Sequence, residues 1–470
     1  MLFNELQLIE PIQEALVTKG YTKATPIQSK AIPALLKGED MLGCAQTGTG
    51  KTAAFSIPIL QNLATKQGKQ NGKRKIKALV VAPTRELALQ IGDSFREYGT
   101  NLEQRTTVIF GGVGQKPQTN RLEKGVDILV ATPGRLLDLI GQGYIDLGYV
   151  EHFVLDEADQ MLDMGMLRDV KRIIKYLPAK RQTMFFSATM PASIASFADT
   201  ILKQPVKITI KPEYSPIDII EQEVYFIDKG NKTALLIDLL KDRKYDSVLV
   251  FSRTKHGADK IVKALARQGL DSVAIHGNKS QNKRQKALKE FKERTVRILV
   301  ATDVAARGLD ISELSHVINY NLSEVPETYV HRIGRTGRAG LGGKAISFCD
   351  FEEKDLLRSI EKLISKKLPE VKGHAYPLRD TTIKPKAKQG QRPQRRNQGN
   401  AASNGSSKPS RTNNRKTKST QSNDRRSKST QTDGRKSKST QGNGNKAARG
   451  SFKQKRSSGG GGNEIRTSGR

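Results

Sequence analysis

Cysteine is scarce in this chain of 470 residues, which contains only Cys44 and Cys349. Both lie in apolar stretches that resemble strands, so we expect two reduced, buried thiols and no disulfide framework. None is needed, because a chain of this length can bury two or three cores of ordinary size. The cysteine content therefore favours a reducing compartment.

Long apolar runs are missing as well, since no segment approaches the roughly 20 apolar residues that a membrane-spanning helix requires. The start of the chain, Met1 to Pro11, carries acidic residues and lacks the basic region of a secretory leader. We therefore predict a soluble, cytoplasmic protein with no membrane attachment.

Acidic residues are rare toward the C-terminus, where residues 384–470 contain 24 lysines and arginines against 3 acidic residues, a net charge of +21 out of +34. Large apolar side chains nearly vanish there, so burial cannot offset the entropy lost on ordering, and we predict a disordered tail at 376–470. A similar seven-residue segment recurs at Arg415, Arg425 and Arg435. Because the repeat has no apolar position, it predicts a multiplied electrostatic contact with nucleic acid, the alternative being a merely solubilising tail.

Before the tail, short β-rich runs alternate with longer helical stretches, the pattern of parallel sheets covered by helices on both faces. The runs fall into two sets, so we predict an α/β fold of two tandem, doubly wound parallel-sheet domains. Residues 211–217, which include Pro212 and Pro216, are the predicted linker. The predicted strands are 41–44, 78–82, 107–110, 128–131, 153–155 and 184–186, then 222–226, 247–251, 272–275, 297–301, 316–319 and 345–348.

Residues 45–52 follow a predicted strand and precede a predicted helix, the context of a phosphate-binding P-loop. Small side chains let backbone N–H groups surround phosphate oxygens at the helix N-terminus. Lys51 would reach the β- and γ-phosphates, and the Thr52 hydroxyl would ligate Mg²⁺. The predicted nucleotide-binding residues of this loop are Ala45, Gln46, Thr47, Gly48, Thr49, Gly50, Lys51 and Thr52.

A pair of carboxylates, Asp156 and Glu157, ends another predicted strand at the edge where such sheets bind nucleotides. Asp156 would hold Mg²⁺, and Glu157 would orient or deprotonate the water that attacks the γ-phosphate. Acidic residues are also common at helix N-termini, but a P-loop about 105 residues upstream favours the catalytic interpretation.

The run from Asp156 to Asp159 is the signature of the DEAD-box RNA helicases, and the motifs over residues 1–375 resemble that family in order and spacing. The resemblance implies that both domains are RecA-like. It divides the chain into a Q-motif segment at 1–29, an ATP-binding domain at 30–210, the linker at 211–217, a helicase C-terminal domain at 218–375 and the tail at 376–470.

Gly20 to Gln28 is similar to the adenine-reading Q motif of this family, although Ala24 stands where the family usually has proline. This similarity implies ATP as the nucleotide, contacted through Phe3, Tyr21 and Gln28. Ser187 and Thr189, together with Asp159, resemble the elements that couple hydrolysis to strand separation.

Loops of both domains resemble the segments with which the family grips RNA phosphates through hydroxyl or backbone donors and arginines, without reading bases. The RNA contacts implied are Pro83, Thr84, Arg85, Gly112, Thr132 and Arg135 in the first domain, and Arg253, Gly277, Arg284 and Thr302 in the second.

The segment from His331 to Arg338 resembles the motif that completes the ATP site from the second domain. Its Arg335 and Arg338 would stabilise charge on the transferring γ-phosphoryl group, with His331 beside them, while Gly308 and Asp310 would approach the ATP ribose. Hydrolysis would then require the two domains to close, a step that bound RNA could control.

Together these patterns predict an RNA-dependent ATPase that unwinds short RNA duplexes locally or remodels RNA–protein complexes, with ATP and Mg²⁺ as cofactors. Resemblance favours the bacterial RhlE-like branch, a monomer, and ribosomal precursors or RNA-decay proteins as partners. An ATP-gated RNA clamp without productive unwinding is the main alternative, and a DNA helicase is a third, because no single residue here reads a 2′-hydroxyl.

Overall fold

The structure is a computed structural model that describes residues 1–66, 74–210, 216–309, 311, 314–337 and 342–381. The predicted tail from residue 382 onward lies outside the described residues, as do linker residues 211–215. Among the residues described, no helix combines the length and apolarity needed to cross a membrane.

The first domain is a seven-stranded sheet, within the described residues, whose neighbouring strands all run parallel in the order β3-β4-β2-β5-β6-β1-β7. Its elements are α1 (Glu10–Thr18), α2 (Pro26–Leu36), β1 (Met41–Cys44), α3 (Lys51–Lys66), β2 (Ala78–Val81), α4 (Arg85–Tyr98), β3 (Thr106–Ile109), α5 (Lys116–Glu123), β4 (Ile128–Ala131), α6 (Pro133–Gly141), β5 (His152–Leu155), α7 (Ala158–Asp163), α8 (Leu167–Ile174), β6 (Gln182–Ser187), α9 (Ala192–Asp199) and β7 (Val206–Thr209).

Alternate residues of these strands face two separate apolar cores, one on each side of the sheet. Val80 and Val154 point into one core, while Leu79 and Phe153 point into the other. The predicted Q-motif segment is part of the first core, which Phe3 enters from a 3-10 turn at Phe3–Leu6. Strands buried on both faces read as continuous apolar runs, and this is why the sequence located them.

The second domain has a six-stranded sheet within the described residues, again parallel throughout, in the order β10-β11-β9-β12-β13-β8. Its elements are α10 (Pro216–Ile219), β8 (Ile220–Phe226), α11 (Lys232–Lys241), β9 (Val248–Phe251), α12 (Lys255–Ala266), β10 (Ser272–Ile275), α13 (Gln281–Lys292), β11 (Ile298–Ala301), α14 (Asp303–Ala306), β12 (His316–Asn319), α15 (Pro326–Ile333), β13 (Gly343–Cys349) and α16 (Lys354–Ile364).

The chain stays attached to the second domain beyond residue 375, where the predicted tail begins. The Tyr376 hydroxyl donates to Asp238 Oδ2 at 2.6 Å, and the backbone N–H of Leu378 donates to the Phe226 carbonyl at 3.1 Å. Asp228 Oδ1 accepts from the N–H groups of Arg379 and Asp380. Residues 376–381 thus belong to the domain, because β8, the loop after it and α11 supply partners that composition does not reveal.

Candidate active site and nucleic-acid interface

The loop between β1 and α3 turns at Gly48 and Gly50, whose φ angles are 89° and 90°. The φ of Gly50 favours glycine, and a Cβ atom there would lie 2.3 Å from Gln28 Nε2 and displace that side-chain amide. The Gln28 side chain donates to the Gly50 carbonyl at 3.1 Å and accepts from the Thr25 N–H at 2.9 Å. Gln28 therefore ties the start of α2 directly to the P-loop.

Lys51, the first residue of α3, is buried, and its Nζ donates to the Ala45 carbonyl at 2.8 Å. The Thr49 hydroxyl donates to the Gln46 carbonyl at 2.8 Å, and the Thr47 hydroxyl lies 3.4 Å from Glu157 Oε1. The loop thus closes on its own carbonyl groups, and a bound phosphate would take over the donors of Lys51.

Asp156 and Glu157 follow β5 and are both buried. Glu157 adopts the left-handed backbone conformation with φ 54°, which is unusual for a residue with a side chain. Burial raises the pKa of Asp156, and burial together with the Asp156 charge raises the pKa of Glu157 to about 7. Lys51 and Arg335 act in the opposite direction on the Glu157 pKa. Two buried carboxylates on consecutive residues favour a cation that binds between them and an anionic ligand.

The side chains of Thr52, Asp156 and Glu157 fit a Mg²⁺ ion whose other ligands come from a nucleotide. Glu157 Oε2 is buried and has no hydrogen-bond partner among the described residues, and Thr52 lies in the first turn of α3. Within the described ranges, no group of three His, Cys, Asp or Glu side chains could hold a metal alone. Mg²⁺ usually keeps several oxygen ligands from phosphates and water, which agrees with so few protein donors.

Asp159 joins α7 to the end of β6. Its Oδ2 accepts from the N–H groups of Ala188 and Thr189, at 3.1 and 2.9 Å, and from the Thr189 hydroxyl at 3.0 Å. The Ser187 hydroxyl accepts from the Asp159 N–H at 3.2 Å and donates to the Thr189 carbonyl. The three residues predicted to couple hydrolysis to strand separation therefore form one hydrogen-bonded unit.

A cavity of about 310 Å³ lies between the two domains, and we call it the P-loop cavity. The second domain contributes His331 and Arg335 to its wall, from α15 and the turn after it. Arg335 also donates to the Leu309 carbonyl at 2.8 Å. The lining residues are Gln46, Thr47, Ala188 and Thr189 from the first domain, and Glu327, Val330, His331, Gly334, Arg335 and Leu363 from the second.

Arg332, between these two residues, has a different environment. Its guanidinium bonds both Asp303 oxygens, at 2.6 and 2.8 Å, and donates to Asn319 Oδ1 and the Asn321 carbonyl. Arg332 thus holds α15 against the sheet. Two other residues predicted to contact ATP, Asp310 and Arg338, lie outside the described residues.

Not every residue predicted to contact ATP lies at the P-loop cavity. Phe3 and Tyr21 line a different cavity of about 240 Å³, in which Tyr21 is 45% exposed and its ring lies 6.1 Å from that of Tyr98. Gly308 has φ 68°, and a Cβ atom there would lie 2.1 Å from Thr84 Oγ1. Gly308 is thus packed against the first domain's predicted RNA-binding loop.

A second interdomain cavity, of about 610 Å³, collects most of the residues predicted to contact RNA, and we call it the basic cavity. Arg85 lies over Gly112, since a Cβ atom on that glycine would be 2.4 Å from Arg85 Nη1. Arg253 and Thr302 follow β9 and β11 at the same edge of the second sheet but do not line the cavity. The predicted residues that do line it are Pro83, Thr84, Arg85, Thr132, Arg135, Gly277 and Arg284.

Comparison with known proteins decides the family. Residues 25–197 match the DEAD/DEAH box helicase family and residues 231–340 match the helicase conserved C-terminal domain. The chain is 42% identical to the DEAD-box ATP-dependent RNA helicase CshA of Geobacillus kaustophilus over 370 residues. This aligned region covers 79% of this chain and 78% of that protein. The chain belongs to the DEAD-box ATP-dependent RNA helicases. A second relative, RhpA of Helicobacter pylori, is 44% identical over 364 residues, 77% of this chain and 73% of that protein.

The structure of this DEAD-box helicase is similar to that of S. cerevisiae Dbp5 bound to RNA and ADP BeF3, with a TM-score of 0.69 and 30% identity over 79% of this chain and 95% of that one. The predicted family, the two RecA-like domains and the ATP-hydrolysing, RNA-dependent activity are thereby confirmed. The enzyme is an ATP-dependent RNA helicase.

One residue of this DEAD-box helicase that sequence reasoning missed is Glu86, which lies buried where the domains meet. Its Oε1 accepts from Gln281 Nε2 at 2.9 Å and lies 3.0 Å from Arg284 Nε, while Arg85 Nη1 lies 3.4 Å from Gln281 Oε1. Arg284, predicted to bind RNA, is therefore engaged in the domain interface. Glu86 is the one acidic residue of the segment from Pro83 to Leu87. Nothing in the local sequence indicates that this residue lies at an interface.

Proposed function

We propose that ATP hydrolysis in this helicase requires closure of the two domains around the P-loop cavity. The observation that carries the proposal is that Thr47 and Thr189 of one domain share this cavity with His331 and Arg335 of the other. Among the residues that line this cavity, the P-loop residues come from the first domain and the arginine comes from the second. Closure would therefore bring the phosphate-binding loop of the first domain and Arg335 of the second to the same ATP.

The residue roles follow from position and chemistry. Lys51 would hold the β- and γ-phosphates, and Thr52 and Asp156 would hold Mg²⁺, which neutralises charge on the phosphate oxygens. Glu157 would orient and deprotonate the attacking water, and Arg335, with Arg338 and His331, would face the γ-phosphoryl group. Gln28, Phe3 and Tyr21 would read the adenine, and Gly308 and Asp310 would approach the ribose.

RNA would bind along the basic cavity through its sugar-phosphate backbone. The first-domain contacts would be Pro83, Thr84, Arg85, Gly112, Thr132 and Arg135. The second-domain contacts would be Arg253, Gly277, Arg284 and Thr302. One strand held across both domains stabilises the closed state, which links RNA binding to hydrolysis. Asp159, Ser187 and Thr189 would couple the two events.

A strand-release assay tests this function. With a short RNA duplex that carries a single-stranded extension, we expect ATP-dependent release of the shorter strand, followed on a native gel. An ATP-gated clamp would hydrolyse ATP on the same duplex and release no strand. Stimulation of the ATPase by DNA as strong as that by RNA would contradict the RNA assignment.

We further propose that residues 384–470 of the tail raise RNA affinity through their 24 lysines and arginines. Deleting residues 384–470 should weaken RNA binding and flatten its dependence on salt, by about one unit of slope for each RNA phosphate that the tail neutralises. The ATPase rate at saturating RNA should be nearly unchanged. Titrations of a labelled RNA at several salt concentrations measure the slope, and an identical slope in the truncated protein would contradict the tail's role.

We also propose that the chain belongs to the bacterial RhlE-like branch and acts as a cytoplasmic monomer. The start of the chain, Met1 to Leu6, and the run from Lys51 to Leu60 support the branch. Ribosomal precursors and RNA-decay proteins are the proposed partners. Crosslinking the full-length and truncated proteins to cellular RNA would identify the target and show whether the tail selects it.

A further inference from the structure

Four charged groups meet at the carboxyl edge of the second sheet, behind the loop that carries Arg253. Lys232 Nζ lies 3.0 Å from Asp350 Oδ2 and also contacts Glu353 Oε2 and the Phe348 carbonyl. The other Glu353 oxygen, Oε1, accepts from Arg253 Nη2 at 2.7 Å. Lys232, Asp350 and Glu353 have side chains at most 5% exposed, whereas that of Arg253 is 38% exposed.

Burial of these charges is tolerated because they balance. An unpaired carboxylate or ammonium group is costly to remove from water, and the cost falls when each finds an opposite charge and hydrogen bonds. The set holds two cations and two anions. Arg253 is its exposed member, so the buried charges fix a group that solvent and RNA can reach.

Asn321 strengthens the same arrangement. Its Oδ1 accepts from the Arg253 backbone N–H at 3.2 Å, and its Nδ2 lies 3.4 Å from Glu353 Oε1. The Arg253 side chain has two charged partners, because its Nε also lies 3.9 Å from Glu324 Oε1. Glu324 is 76% exposed, so the buried Glu353, at 2.7 Å, is the stronger of the two. A guanidinium has five donors, so a bond from Nη2 to Glu353 leaves others for a phosphate.

We propose that Glu353, charge-balanced by Lys232, is a positioning residue that orients Arg253 for an RNA phosphate. The inference rests on the proposed RNA contact of Arg253 and adds the device that presents it. Fixing a long side chain before binding removes an entropy cost that would otherwise weaken the contact. Glu353 itself does not touch RNA.

The substitution E353Q distinguishes positioning from long-range electrostatics, because the two predict opposite changes in RNA affinity. E353Q removes a negative charge next to the RNA-binding edge, so long-range attraction alone predicts tighter RNA binding. Loss of the charge-assisted bond to Arg253 predicts weaker binding, by about threefold to tenfold. Weaker binding is the expected result.

The experiment measures the affinity of the full-length protein for a single-stranded RNA oligonucleotide, by fluorescence anisotropy with a non-hydrolysable ATP analogue. E352Q is the matched control, since Glu352 lies in the same 3-10 turn and contacts Lys229 at 2.7 Å instead of Arg253. It removes the same charge, and its affinity should stay within about twofold of the parent. Tighter or unchanged binding by a folded E353Q protein overturns the proposal.

The double variant separates positioning from general destabilisation. In the R253Q background, E353Q should have little further effect, because its influence passes through Arg253. An equal loss of affinity with and without Arg253 overturns the proposal. Should E353Q fail to fold, E353D keeps the charge on a side chain one methylene shorter; it should also weaken RNA binding, and unchanged affinity overturns the proposal equally.

R253Q alone tests the underlying contact. If R253Q leaves RNA affinity unchanged, the proposed RNA role of Arg253 fails, and the positioning role with it. If R253Q weakens binding and folded E353Q and E353D do not, the RNA contact stands and only the positioning role of Glu353 is overturned.

Discussion

Replacing Glu157 with glutamine should lower the RNA-stimulated rate of ATP hydrolysis by about a hundredfold or more, while ATP and RNA still bind. The amide keeps the shape of the side chain and an acceptor for Thr47, whose hydroxyl lies 3.4 Å from Oε1. It cannot take a proton from water, and general bases contribute about a hundredfold to ten-thousandfold. Single-turnover phosphate release and nucleotide binding, measured separately, check the result.

E151Q is the control for this substitution. Glu151 directly precedes β5, at the opposite end from Glu157, and pairs with Lys77 at 2.6 Å. Loss of its charge should leave hydrolysis nearly unchanged. Turnover by E157Q close to that of the parent protein would refute the role of Glu157 as the base.

Arg335→Ala should lower the hydrolysis rate by about a hundredfold to a thousandfold with little effect on RNA binding in the absence of nucleotide. Arg335 lines the P-loop cavity from the second domain, and its charge acts on Glu157 in the first. An arginine that stabilises the transferring phosphoryl group contributes at least this much in related chemistry. Steady-state ATPase at saturating RNA measures the loss.

Arg358→Ala provides the comparison, because Arg358 is exposed on α16 of the same domain and pairs with Asp355. Its ATPase rate should match the parent's. Arg335→Lys keeps the charge but not the planar fork, so a large part of the loss should remain. A rate for Arg335→Ala within about threefold of the parent would remove Arg335 from the proposed transition-state contacts.

The sequence predicted the architecture well because both sheets are parallel and buried on both faces, which makes each inner strand a continuous apolar run. It missed β7, Val206–Thr209, at the edge of the first sheet. Only Ile208 of that strand is buried, so the run lacks the apolar character that marked the others. Edge strands need partners on one side alone, and their sequence is correspondingly less constrained.

The turn between β1 and α3 could also be predicted from the sequence, since glycines at such a turn are fixed by local backbone geometry. Gly50 illustrates this, with its positive φ and its close approach to Gln28. Contacts between the two domains could not be predicted from the sequence. Glu86 meets Gln281 and Arg284 across about 195 residues of sequence, and no local pattern announces such a pairing.

Interdomain energy transfer measures most directly whether ATP and RNA together close the two domains. Donor and acceptor dyes can be attached through K175C and K263C, at exposed positions of the two domains, with C44S removing the partly exposed native thiol. We predict that transfer efficiency changes to a single new value only when RNA and a non-hydrolysable ATP analogue are both present. The same efficiency with neither ligand, or with either ligand alone, would contradict RNA-controlled closure.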